Sequence, residues 1–158
     1  MKKAIIVGLM LIGIGMGIGM GNGWAASSEH DHGHIMGKMI RHTTVDGYGF
    51  MYHLLNSDER NTAMKGMEGM EMPGMSNSPD ITNHLVVYIT DSSGKPASGK
   101  IGFWINGPDG NEQKTLTMGM HNGYGADVIF KAKGEYRVRT KAVIDGKTLN
   151  DEFTYEVK

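Results

Sequence analysis

The sequence predicts an all-β protein, and three observations carry that expectation. Apolar residues alternate with polar ones over short runs, as at Leu85, Val87 and Ile89 and again at Ile101, Phe103 and Ile105. This two-residue period is the mark of a strand with one buried face. Asp46-Gly47 and Asp145-Gly146 stand between such runs, and Asp-Gly is a dipeptide that accepts the backbone of a tight hairpin turn. A 3.6-residue apolar period is almost absent.

In chain order, the first element to expect is a hairpin from Ile40 to Leu55, turning at Asp46-Gly47. In its second arm Phe50, Tyr52 and Leu54 share one face, and Met51, His53 and Leu55 share the other. The run N-H-L-V-V-Y-I-T follows from residue 83, with Leu85, Val87 and Ile89 opposed to His84, Val86 and Tyr88. Ser93-Gly94-Lys95-Pro96 reads as a turn before K-I-G-F-W-I, and Asn106-Gly107-Pro108-Asp109-Gly110 reads as the next. Q-K-T-L-T-M leads into Gly119-Met120-His121-Asn122-Gly123, and Y-G-A-D-V-I-F comes after. Two long strands joined at Asp145-Gly146 end the chain. Seven or eight strands at this spacing predict a β-sandwich of immunoglobulin-like architecture over residues 40–158, because each sheet must bury one face.

The N-terminus is of another kind. Lys2-Lys3, an apolar run from Ala4 to Met20 and the small-residue exit Trp24-Ala25-Ala26-Ser27 form the pattern of a secretory signal peptide over residues 1–26. The run approaches the length of a membrane span, but seven glycines between Gly8 and Gly23 make a poor membrane helix. Export to the periplasm or beyond is expected, with an uncleaved leader as the lesser alternative and the one route to a membrane. Loss of Lys2 and Lys3 leaves 14 basic residues against 17 acidic ones, a formal charge near −3. No clustered basic face points to nucleic acid. Cysteine is absent, which excludes a disulfide framework, a lipoprotein anchor and a thiolate nucleophile.

Two stretches outside the strands carry chemistry. Residues 64–75 read M-K-G-M-E-G-M-E-M-P-G-M, so Met64, Met67, Met70, Met72 and Met75 make up five of twelve positions. Methionine normally fills core gaps. Here Gly66, Gly69, Gly74 and Pro73 oppose a helix, and no Leu, Ile, Val or Phe joins the sulfurs. A mobile, exposed loop displaying thioethers is expected within the linker 56–79, and thioethers select soft monovalent cations such as Cu(I) or Ag(I). Its plainer alternatives are a sticky hydrophobic contact and low-complexity drift. The second stretch, residues 27–39, places His30, His32 and His34 at alternate positions of an expectedly disordered tract. Such tracts bind Cu(II), Ni(II) or Zn(II), and exposed histidines are as often inert. Cleavage after Ser27 would give a Ser28-Glu29-His30 terminus able to hold Cu(II) or Ni(II) in a square plane.

Inside the predicted sandwich, Met118-Gly119-Met120-His121 gathers two thioethers and an imidazole within four residues. A continuing strand would put Met118 and Met120 on one face. Soft neutral donors of this kind suit Cu(I), with Met51, His53 and His84 as additional candidates. The alternatives are that both methionines pack in the core with His121 in a turn, and that His53 is an ordinary hydrogen-bonded, half-buried histidine. An enzyme is not expected, for there is no nucleophile elbow, no phosphate-cradling glycine loop and no carboxylate pair in a cleft. A structural zinc site is disfavoured without cysteine or paired histidines.

Residues 91–105 (D-S-S-G-K-P-A-S-G-K-I-G-F-W-I), 123–130 (G-Y-G-A-D-V-I-F) and 133–138 (K-G-E-Y-R-V) together resemble the YtkA-like family of exported immunoglobulin-like domains. The resemblance spans roughly half the chain; Ala97 stands where that family usually has valine and Lys100 where it has alanine. It implies a secreted sandwich associated with bacterial copper handling and loosely similar to the CopC-like carriers. The expected function is periplasmic binding of Cu(I), with Ag(I) or Cu(II) as alternates, for delivery to a transporter, an efflux component or an oxidase. The competing expectation is a non-enzymatic interaction module that docks a protein through a sheet edge, with the methionine loop as an adaptable contact.

Overall fold

The computed structural model describes residues 36–66, 70, 72–120 and 122–158. The expected leader, the histidines His30, His32 and His34, and also Met67 and His121 lie outside the described residues. Nine strands and one helix follow in the order β1 (Lys38–Val45), β2 (Tyr48–Leu55), α1 (Ser57–Ala63), β3 (Asn83–Thr90), β4 (Gly99–Asn106), β5 (Glu112–Leu116), β6 (Met118–Met120), β7 (Gly123–Val128), β8 (Gly134–Ile144) and β9 (Lys147–Val157). They form two antiparallel sheets, ordered β1-β2-β3-β7-β6 and β5-β4-β8-β9. Among the described residues no helix is long and apolar enough to cross a membrane.

The inner faces are those the alternation predicts. Phe50, Tyr52, Leu85, Val87 and Ile89 of the first sheet meet Ile101, Phe103, Ile105, Val138 and Ile144 of the second, all of them buried. Each such side chain contributes about 1.5–3 kcal/mol of transfer free energy, and this shared core makes the fold an all-β sandwich. Both expected hairpin dipeptides have left-handed backbones, at Asp46 (φ 48°), Gly47 (84°), Asp145 (50°) and Gly146 (76°). These are type I′ turns, whose twist matches the strands they join. A Cβ on Gly146 would meet nothing within 4 Å, so Gly146→Ala should cost only the backbone penalty, about 1 kcal/mol. A lowered urea midpoint with an unchanged slope checks this.

Three expectations need correction. Among the described residues the strands number nine, because residues 112–120 do not form one strand. At Thr117 the backbone N–H and Oγ1 both donate to Ile101 O at 3.0 Å. There the chain leaves β4 and crosses to pair with β7, so β5 and β6 belong to opposite sheets. The first strand also starts at Lys38, two residues before the expected boundary. Finally, the linker 56–79 holds a helix. Asn56 accepts from the Asp58 and Glu59 N–H groups at 3.0 Å, and Glu59 Oε2 accepts from the Asn56 N–H at 2.9 Å. This capping box closes the first turn. None of its residues is buried, so the helix has no apolar stripe for a periodicity search to find.

Candidate metal centre

The outer face of the five-stranded sheet carries the predicted donors. Pairing sets Leu55 opposite His84 and His84 opposite Asp127. The next outward row reads His53, Val86, Gly125, Met118, and the one after reads Met51, Tyr88, Gly123, Met120. Gly123 and Gly125 leave a trough between β3 and β6. Into it lean His84, fully buried, and Met120, with Nε2 and Sδ 3.2 Å apart. They meet above Gly125, where a Cβ would collide with the ring nitrogen and lie 2.6 Å from the sulfur.

A second set of contacts fixes the imidazole. His84 Nδ1 lies 2.8 Å from Asp127 Oδ1. The same carboxylate accepts from Arg60 Nε at 2.6 Å, Arg60 Nη2 at 2.7 Å and the Ser76 N–H at 2.8 Å. Burial by itself would raise the Asp127 pKa, but Arg60, His84 and Ser76 hold it well below the ordinary carboxylate range. The paired carboxylate likewise raises the Arg60 guanidinium, against the smaller effect of its burial. An ionised carboxylate can only accept, so Nδ1 carries the proton that faces it. With Nδ1 protonated, the neutral ring presents its Nε2 lone pair to Met120 Sδ, whereas the imidazolium would donate an Nε2–H to that sulfur.

Two converging lone pairs are an arrangement that a cation satisfies. A tetrahedral centre with nitrogen at about 2.0 Å and sulfur at about 2.3 Å separates its ligands by about 3.5 Å. The 3.2 Å gap therefore fits after a movement of a few tenths of an ångström. A carboxylate behind a ligating histidine is the usual means of fixing its tautomer. Access is provided by a cleft of about 350 Å³ lined by Met36, Leu55, Ala63, Tyr88 and Met120, among others.

The end of the methionine loop docks beside β6 and β7. Met64 is buried at 4% exposure, Met72 and Met75 are half-buried, and Met70 is 55% exposed. The expectation of free display is thus corrected for Met64 and for the Met72–Met75 end, while Met70 is exposed as expected. The loop's end is docked by backbone, with the Asp127 N–H donating to Gly74 O at 2.7 Å. Gly74 has φ +81°, and a Cβ there would meet Gly125 O and Leu116 O at 2.8 Å and Met118 N at 3.1 Å. The Met72–Met75 turn, closed by Met75 N–H to Met72 O at 3.1 Å, therefore abuts the strand that holds Met118, which is itself 4% exposed.

Met51 and His53 share this face but stand one strand away, with Tyr88 and Val86 between them and Met120 in the register. His53 is 7% exposed. Its Nδ1 lies 3.2 Å from Gly37 O, its ring packs edge-on to Tyr88 at 5.6 Å, and its Nε2 has no hydrogen-bond partner. Sequence reasoning missed Asp127, Arg60, Gly125 and Met36. Among the described residues no three His, Asp or Glu side chains converge on one point. No family model matches the chain, and no curated protein or solved structure matches it.

Proposed function

We propose that this is an exported protein that binds Cu(I), with Ag(I) as the equivalent soft ion, and hands it to an envelope transporter, efflux component or oxidase. The observation that carries the reading is the convergence of His84 Nε2 and Met120 Sδ over Gly125. Met118 stands opposite Gly125 in the register and the Met72–Met75 turn abuts its strand, so these and Met64 are the candidate further donors, and exchangeable thioethers let an ion be released as well as held. Met70, Met67 and His121 extend the donor set, Met51 and His53 offer a second position on the face, and His30, His32 and His34 suit Cu(II). No bond is made or broken, so the protein acts by affinity and exchange rate. The leader pattern supports export. The two-sheet topology supports the immunoglobulin-like, YtkA-like reading of the fold.

Competition of the full chain against a Cu(I) chelator tests this. His84→Ala and Met120→Leu are each expected to weaken uptake by about 10–100-fold, since leucine keeps the apolar surface and removes the sulfur. No Cu(I) or Ag(I) uptake by the unaltered protein, or uptake indifferent to both changes, overturns the proposal.

One observation favours the second reading, a protein-interaction module. On the outer face of the four-stranded sheet Trp104 lies between Lys114 and Arg139, each 4.5 Å from its ring. Leu116 at 66% and Val143 at 39% exposure stand on the same concave surface. Exposed aromatic and aliphatic groups ringed by cations are typical of a contact surface. Binding of an envelope partner that Trp104→Ala abolishes and His84→Ala leaves intact would support that reading.

A further inference from the structure

We infer that Arg60 is the residue that makes the His84–Met120 centre selective for a monovalent over a divalent cation. The inference rests on the metal reading above and assigns the origin of its charge preference.

The ligands of the centre are neutral, an imidazole nitrogen and a thioether. Among the described residues, the formal charge bonded to a ligand is the Asp127 carboxylate, one hydrogen bond behind His84, with its side chain 2% exposed. Arg60 cancels that charge through two short bonds, 2.6 and 2.7 Å, from a guanidinium 18% exposed. The remaining contacts of the carboxylate come from a neutral backbone N–H and from the imidazole. Lys65 lines the adjoining cleft but is exposed, where water screens it. Among the described residues, the groups bonded around the centre therefore sum to neutral, with His84 fully buried and Met120 half-buried at the cleft.

In such a place the cost of an entering ion is its own self-energy, which grows as the square of its charge. A monovalent ion meets this once, and a divalent ion meets several times as much with no anion to offset it. Softness of the ligands points the same way, but it acts through the inner atoms alone. Arg60 acts from behind Asp127, so it is a positioning and charge-balancing residue whose contribution can be removed without touching a ligand. Without it the carboxylate is an unbalanced anion beside the ion, and the penalty on divalent ions falls most.

The test uses the full chain carrying His30→Ala, His32→Ala and His34→Ala, so that the N-terminal tract takes up no divalent ion. Ag(I) and Zn(II) affinities are measured by competition titration, and binding lost on His84→Ala defines the centre. Arg60→Met is expected to shift the Zn(II)-to-Ag(I) affinity ratio toward zinc by about tenfold or more. Arg60→Lys keeps the charge and should retain the original ratio. The double variant Arg60→Met with Asp127→Asn is neutral again and should return the ratio toward its starting value, which simple loosening of the helix would not do. An unchanged ratio in Arg60→Met with Ag(I) uptake intact overturns the role of Arg60 and leaves the metal centre standing. Absence of His84-dependent Ag(I) uptake in the parent protein overturns both.

Discussion

Replacing Asp127 with alanine is expected to destabilise the protein by about 3–5 kcal/mol, the usual result of breaking a buried ion pair from one side. The side chain is 2% exposed and receives Arg60, His84 and the Ser76 N–H together. Its loss leaves a partly buried guanidinium without its carboxylate, held only by Ser76 O and Asn61 Oδ1, and removes the side-chain tie to both α1 and Ser76. Urea unfolding measures the cost, and proteolysis should cut within residues 64–78 before the sandwich opens. The pH dependence has a definite sign. The carboxyl is held below its ordinary range in the folded protein, so its stabilisation is complete above the unfolded pKa of about 3.9. It fades as pH falls further, toward the depressed folded value. The stability gap between the natural protein and Asp127→Asn should accordingly be constant near neutrality and narrow below about pH 4.

Gly125→Ala should have the largest effect on binding. The added methyl would occupy the space where His84 Nε2 and Met120 Sδ meet. His84 is fully buried and tied to Asp127, so Met120 must swing away and the donor pair is separated. Overpacking of this kind costs about 1–3 kcal/mol, and loss of one ligand from the pair should lower Cu(I) affinity by about 10–100-fold. Gly119→Ala is the control, because a Cβ there meets nothing within 4 Å. Chelator competition on both variants, with circular dichroism to confirm folding, separates the two effects. Equal affinity in Gly125→Ala and the parent protein would remove His84 and Met120 as a joint donor pair.

The strands were legible where burial is one-sided. Phe50, Tyr52, Leu85, Val87, Ile101 and Phe103 alternate cleanly and do line the core, and the two Asp-Gly dipeptides do turn the hairpins. The outward direction of His84 could be read from the same period, whereas the break at Thr117 left a core position equally open for Met118 and Met120. What met them could not, because Asp127 and Gly125 are brought in by pairing between β3 and β7, some forty positions apart in the chain. The docking of residues 72–78 was also illegible. It depends on an ion pair through Arg60 and on a backbone bond to Gly74, and neither leaves an apolar pattern. The helix did leave a signal, the spacing of Asn56 and Glu59, but a capping box without an apolar run behind it is easily passed over.

The crossing at Thr117 has a consequence for how such a molecule behaves in a crowded compartment. Along one flank a single covalent run serves as the border of both sheets, in pieces of five and three residues. Along the other flank the Arg41 guanidinium grips Asp151 at 2.8 and 3.0 Å across the gap between β1 and β9, and β1 is kinked by a register shift between Met39 and Arg41. Short or bent borders are poor templates for another chain to extend. Three of the four borders, β5, β6 and β1, are therefore poor sites for fibre growth, and the fourth, the eleven-residue β9, is the one tied across the gap by Asp151.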